Sequence, residues 1–421
     1  MAIPDLSFSI EIKDPLHGYI GLTELEESIL DLRMTQRLRS IRAPAGIHQV
    51  YPGADQSLMG RLIGFLHITD TLFDSLRAER EDLLKARLVS MFLTISRGPW
   101  SNVMEEYLTV RGRNRRTRAK MAVENSPATE IIENSSFSVE EIVDVIENGI
   151  SVKGIDVDLL TIPINPELVD SLERDAYFAG VEYAQLEYRR LFDATRIAKN
   201  KIAVERGSVY TLESYLSAGA NMYDAVYYHK TVRAAELMLL RILDEAASML
   251  FEFPREDSKE FLSIDDWTFH DMLMHLPEDP TEEVKLAAKV FDSFRNRYLI
   301  KLASSRAIAD HAFLTKLATP DGLYDVEREI AEEADIDPKN VYVDYPNRPS
   351  VEFYPGKYSL DDVVFFERGS RGYEFWDVMD LSLIARSYKR DLRPVRVYTT
   401  RGYRSRVKKV GDRLLESVDI P

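Results

Sequence analysis

The sequence predicts a mainly α protein, with a helical core over residues 1–330 and a smaller α+β domain over residues 331–421. Three observations carry that expectation. Apolar residues recur at helical spacing from Glu24 to about residue 330, as in Leu25, Ile29, Leu32, Leu38 and Ile41. After Asp335 the pattern shifts to short aromatic and β-branched runs (NVYVDYP, VEFYP, DVVFFE, PVRVYTT) bounded by Pro, Gly and Asn. A chain of 421 residues is also too long for one compact core.

Taken in order, Phe8 to Ile12 alternates as a strand, and the Asp-Pro and His-Gly pairs of DPLHGYIGLT mark turns. Glu24 to Arg42 reads as one helix. Pro52-Gly53 makes a turn, and Ser57 is the N-cap of an apolar helix running to about Leu76. Leu84 to Ser96 is a second buried helix, stopped by Gly98-Pro99. Met104 to Asn148 holds a basic loop and one amphipathic helix. Pro163 and Pro166 introduce the helix PELVDSLERDAYFAG. Long helices are expected over Ala176 to Lys199, Leu212 to Glu252 and Thr281 to Leu317, and one more, Asp377 to Lys389, among the late strands.

Composition narrows the function classes. Hydrophobic residues make up 45% and charged residues 29%, as in ordinary soluble proteins. Cys is absent, which excludes disulfides, thiolate metal sites and a cysteine nucleophile. Gln is confined to Gln36, Gln49, Gln56 and Gln185, and this scarcity beside abundant Glu and Arg leans towards a thermophile. The N-terminus lacks a signal pattern and no apolar run reaches ~18 residues, so the expectation is a cytoplasmic chain with no membrane partner. The net charge of −16 disfavours nucleic-acid binding by the surface as a whole. Two basic islands, Arg111 to Lys120 and Lys389 to Arg413, interrupt it. Each is large enough to meet phosphates, and each also fits a solvated loop or strand edge.

Several blocks appear in a telling order: KDPLHGYI, TQRLRSIRAPAGIHQVYPGA, RGPWSN, ELVDSLERDAYFAGVEYA, VYYHKTVRAAELML and FLSIDDWTF. Together they resemble the HD-domain phosphohydrolases, in particular the deoxynucleoside triphosphate triphosphohydrolase branch. The resemblance implies an HD-domain helical core and, in the family, a divalent metal held by a His, a His-Asp pair and a distant Asp. Such a metal activates water and polarises a phosphoryl oxygen. Laid on this chain, the first His position is Arg61, the His-Asp pair falls on Leu93 and Thr94, and the distant Asp falls on Glu167. Two auxiliary histidines fall on Arg97 and Asn102. Arg and Leu offer no lone pair to a metal. The reading is therefore a degenerate motif with no metal, no cofactor and no catalytic residue assigned, and with Arg61 paired to Glu167 where the ion would sit.

The same resemblance supplies candidate ligand-binding residues. Asp175 and Tyr227, with Lys230, match pocket-lining blocks, and Arg61 and Arg97 would face a phosphate there. Asp170, Arg174 and Asp175 fit equally an internal ion-pair network, given their helical spacing. Asp31, Gln36 and Arg39 match a triad that reads a guanine at an activating site in regulated members. His17 is expected to bond backbone in its turn, and His67 to be a satisfied core residue. The favoured function is a non-catalytic nucleotide- or phosphate-binding, regulatory, partner-binding member of the family, with a catalytic paralogue as one partner. It would be a homo-oligomer, dimer or tetramer. The alternatives are a nucleotide phosphohydrolase with an unconventional site, and a nucleic-acid-binding protein using Arg111 to Lys120 and the C-terminal basic segment.

Overall fold

The computed structural model describes residues 6–250, 260–345, 363–370, 372–387 and 394–418. The chain opens with an antiparallel hairpin, Ile10–Asp14 against Gly18–Leu22. Its turn is fixed by Asp14, whose Oδ1 accepts the amides of Leu16 (2.9 Å) and His17 (3.1 Å). Thr23 and Glu26 form a capping box that starts the helix Glu24–Leu30.

The helix expected to run on to Arg42 breaks at Leu32, which is extended (φ −64°, ψ 142°), and resumes as Arg33–Gln36 and a 3-10 turn, Arg37–Ser40. The reason is local. Thr35 Oγ1 and Gln36 Nε2 reach back to the carbonyls of Ile29 and Leu30, at 2.7 and 2.9 Å, and satisfy the end of the first helix.

Three buried helices form the centre: Leu58–Leu76, Arg80–Ile95 and Pro166–Ala179. The first and third run antiparallel, Gly60 facing Arg174 and Gly64 facing Asp170. A Cβ on Gly64 would overlap the Asp170 carboxylate, so glycine there sets how closely the two helices approach. Arg87 ties the second helix to its surroundings, bonding Glu26 at 2.6 Å and Asp70 at 2.9 Å, all with side chains at most 5% exposed.

Where one helix was expected between Met104 and Asn148, the fold builds Ser101–Thr109, Arg115–Glu124, Ala128–Glu133 and Val139–Asn148. The helix expected over Ala176 to Lys199 is broken up. Pro166–Ala179 ends on Gly180 in the left-handed region (φ 69°). A short helix, Tyr188–Asp193, then leads into the hairpin Thr195–Ala198/Lys201–Glu205. Lys199 and Asn200 turn that hairpin at φ 52° and 57°, the geometry of a two-residue hairpin loop. The Leu212 to Glu252 expectation resolves into Val209–Met222, a π turn at Tyr223–Tyr227, Lys230–Glu245 and Ala247–Leu250. Thr281 to Leu317 resolves into Glu282–Arg295, a strand Lys301–Ala307 and His311–Leu317. The helix from Asp377 appears as Val378–Leu381 and Leu383–Ser387, and VEFYP lies outside the described residues.

Late strands pair with early ones. Lys301–Ala307 and Val341–Asp344 flank Pro394–Thr399 in a three-stranded antiparallel sheet. A four-stranded sheet runs Gly372–Asp377, Val363–Gly369, Lys201–Glu205, Thr195–Ala198, with its central pair parallel. Both sheets thus join strands from either side of residue 330. The large core is helical, and a second, smaller one gathers Leu317, Val326, Ile330, Val397 and Val407. The architecture is mainly α with a smaller α+β part, as the sequence predicts. Among the described residues no helix is long and apolar enough to cross a membrane.

Candidate functional site

Glu167, Ser171 and Asp175 stand four residues apart on the helix Pro166–Ala179, so they form a row along one face. Asn165 starts that helix, its side chain accepting the Leu168 amide at 3.0 Å while donating to the Leu159 carbonyl at 2.7 Å. Arg61, from the facing helix, lies over the row. One guanidinium nitrogen meets both oxygens of Asp175, at 2.6 and 2.7 Å, a second donates to Ser171 Oγ at 2.6 Å, and Nε donates to the Ala43 carbonyl at 3.1 Å. Asp175 also accepts from Gln56 Nε2 (2.6 Å) and the Tyr227 hydroxyl (2.7 Å). Arg61 is 4% exposed and Asp175 1%. A buried carboxylate surrounded by donors in this way is satisfied rather than reactive.

Glu167 meets Arg97 at 2.5 Å and Arg115 at 2.8 and 2.9 Å, and Arg115 Nε also donates to the Leu93 carbonyl at 2.9 Å. The carboxylate that Arg61 forks onto is Asp175, two helical turns along the row from the Glu167 expected to pair with it. A guanidinium reaches further than an imidazole would, and Gln56 and Tyr227 already aim the Asp175 oxygens at it. Arg115, from the basic island, then serves Glu167, which no spacing rule in the sequence foretold. Among the described residues, no three His, Asp or Glu side chains are grouped so as to hold a metal ion.

The adjoining flank of the same helix carries a second network. Asp170 meets His17 Nε2 at 2.8 Å and Arg174 at 2.8 Å, and Arg174 also reaches Asp14 at 3.0 Å. His17 thus bonds a carboxylate, where the sequence suggested backbone, because the hairpin turn aims its ring at the helix. Burial opposes the charged form of Asp170, yet Arg174 and His17 prevail and hold its carboxyl below the usual range. His67 stacks on His17 at 5.0 Å and lies 3.2 Å from an Arg189 nitrogen. Burial, then the neighbouring His17 and Arg189, push the His67 pKa down to about 4. Glu173 is pushed up to about 7 by burial.

A third network escaped the sequence reading. Asn102 accepts the Ala45 amide at 2.7 Å and donates to Glu236 at 2.7 Å. Arg233 meets Glu236 (2.7 Å), Asp344 (2.8 Å) and Glu106 (3.2 Å), all buried. Burial, reinforced by Glu106 and opposed by Arg233, raises the Glu236 pKa to about 7. Two charged residues three apart, Arg233 and Glu236, inside the apolar block VRAAELMLL were the available signal.

Gln36 and Arg39 are brought together, Arg39 Nε donating to Gln36 Oε1 at 2.9 Å, while Asp31 lies exposed at the end of the first helix. Arg39 lines a cavity of about 280 Å³ with Arg42, Trp100, Trp267 and His270. Lys230 is exposed in the first turn of its helix, three residues beyond Tyr227.

The first basic island is turned inward. Arg111 pairs with Asp244 and Arg118 with Glu105. Arg116 meets Asp158 at 2.6 Å and Lys120 meets Glu147 at 2.6 Å. These side chains join neighbouring elements, which weighs against the alternative that Arg111 to Lys120 binds nucleic-acid phosphates.

The sequence pattern of the HD-associated region matches residues 186–417, more than half of the chain. The chain belongs to the HD-domain phosphohydrolase family. This HD-family chain is 26% identical over 260 residues to the uncharacterized protein YwfO of Bacillus subtilis, covering 59% of each. It is 23% identical over 308 residues to a deoxynucleoside triphosphate triphosphohydrolase SAMHD1 homolog of Dictyostelium discoideum, covering 69% of this chain and 59% of that protein. The chain thus spans about half to three fifths of the length of these curated relatives. A solved phosphohydrolase from Bacteroides thetaiotaomicron shares the fold, with a TM-score of 0.71 at 19% identity, over 93% of this chain and all of that one. So does a protein of Aquifex aeolicus, with a TM-score of 0.69 at 22% identity, over 95% and 99%.

Proposed function

We propose that this HD-family protein holds no divalent metal and works without catalysis, as a nucleotide- or phosphate-binding regulatory protein that acts on a partner. One observation carries the reading. The row Glu167–Ser171–Asp175, on the helix where the family resemblance puts the last metal ligand, is occupied by guanidinium groups from Arg61, Arg97 and Arg115. A guanidinium has no lone pair to give a metal, and its charge repels one. The row therefore does not fit a divalent ion, and no hydrolytic step is derived through one. Asp175 and Glu167 already neutralise those guanidiniums, so the exposed Lys230 is the cation left for a phosphate, while Asp31, Gln36 and Arg39 are the residues proposed to meet a purine edge. We place the partner, a second copy or a catalytic relative, on helical surfaces.

The test is metal analysis of the purified protein together with hydrolysis assays on deoxynucleoside triphosphates in Mn, Ni, Fe and Mg. The expected result is no stoichiometric metal and no phosphate release, with thermal stabilisation by GTP or a deoxynucleotide. A tightly bound ion with turnover would instead establish the alternative, a triphosphohydrolase with an unconventional site, which the name of the Dictyostelium relative favours.

A further inference from the structure

The four-stranded sheet leaves one face open to a trough of about 490 Å³. Arg77, Lys153, Arg196 and Arg368 line it against a single lining carboxylate, Glu205. These cations come from four distant parts of the chain, so no basic run in the sequence announces them. Among the described residues, none of the four pairs with a carboxylate. Lys153 Nζ donates to the Leu76 carbonyl at 2.7 Å and Arg196 to the carbonyls of Asp193 and Thr195 at 2.7 and 2.6 Å, which fixes both heads without neutralising them. This contrasts with the Arg111 to Lys120 island, whose charges are spent on internal ion pairs.

Aromatic rings share the trough. Strand register sets Glu205 opposite Phe366, Phe366 opposite Phe375, and Arg368 opposite Tyr373, so these side chains alternate onto one face. Phe366 and Tyr373 meet edge to face at 5.8 Å, and Tyr373 is 61% exposed. Lys199 sits 4.2 Å over the Phe375 ring at the rim and adds a fifth cation. The rest of the chain is strongly acidic, with a net charge of −16, so a polyanion is repelled elsewhere and concentrated here.

We infer that this sheet face binds single-stranded nucleic acid. Phosphates would run along Arg77, Lys153, Arg196 and Arg368, and bases would stack on Tyr373 and its neighbours. Stacking rings beside a cationic track are the chemistry such a strand requires, and an open sheet lets it pass through. A duplex keeps its bases stacked inside and gains only the charge.

The test is fluorescence anisotropy of a labelled 12-nucleotide thymidine strand with the full chain, from 50 to 200 mM salt. Four phosphate contacts predict a roughly 50-fold loss of affinity across that range. Arg368→Ala should reduce that loss to roughly 20-fold. Tyr373→Ala should weaken binding at least about 5-fold while leaving the salt dependence unchanged. Arg77 occupies the left-handed region (φ 54°), so Arg77→Asn is the variant that removes its charge without backbone strain. It tests the opposite wall if a strand variant fails to fold. Absence of saturable binding, binding indifferent to Tyr373 and Arg77, equal affinity for a 12-base-pair duplex, or equal affinity for thymidine monophosphate would each overturn the assignment.

Discussion

Replacing Arg61 with Met isolates the role of the central guanidinium. The substitution keeps an unbranched apolar stem and removes at least four hydrogen bonds, two of them to Asp175. Asp175 is then left 1% exposed with Gln56 and Tyr227 as its named donors. Breaking one side of a buried pair typically costs about 3–5 kcal/mol. Two surviving donors argue for the lower end, so Arg61→Met should destabilise by about 3 kcal/mol in urea unfolding. Asp175→Asn alone removes the charge but keeps an acceptor for the same donors. The double variant should therefore cost less than the sum of the singles by about 1–2 kcal/mol, the coupling expected of residues sharing one network. A single variant within about 1 kcal/mol of the parent, or strictly additive singles, would refute the view that this pair organises the site.

Three further outcomes are expected. Glu236 has a folded-state pKa of about 7 against an ordinary 4.5, so the folded chain binds more protons than the unfolded one between those values, and this group's contribution to stability falls as pH rises through that window. Glu236→Gln should flatten that fall, gaining on the parent by roughly 2–3 kcal/mol between pH 5 and 8 in thermal or urea unfolding. Gly64→Ala should destabilise by more than about 3 kcal/mol, since its methyl overlaps a carboxylate locked by His17 and Arg174, and recovery of soluble protein reports it directly. Arg87→Met leaves Glu26 and Asp70 buried without their shared cation and should cost about 3–5 kcal/mol, read as a lowered unfolding midpoint.

The helical centre was legible because its periodicity is strong. Ser57 does precede the helix Leu58–Leu76, though its side chain makes no capping bond, and Pro166 does open the helix that carries the site. What failed was continuity. The runs ending at Lys199 and at Leu317 contain good helix formers, yet tertiary pairing draws Thr195–Ala198, Lys201–Glu205 and Lys301–Ala307 into sheets with strands that lie far off in the chain. The conformational signal at Lys199-Asn200 was present in the residue types only weakly, since lysine rarely takes the left-handed region. Within the site, position-by-position resemblance led to Arg61, Arg97, Asp175 and Tyr227, which do converge through Glu167, Ser171 and Gln56. The pairings among them depend on side-chain reach, which spacing does not encode. The same limit explains Arg115, read as part of a basic loop and found bonded to Glu167.

The parallel pairing of Lys201–Glu205 with Val363–Gly369 bears on how the chain is born. At bacterial or eukaryotic translation speeds, on the order of ten to thirty seconds separate the emergence of the earlier strand from that of its neighbour. Throughout that interval the hairpin Thr195–Ala198/Lys201–Glu205 presents a bare edge to whatever is nearby.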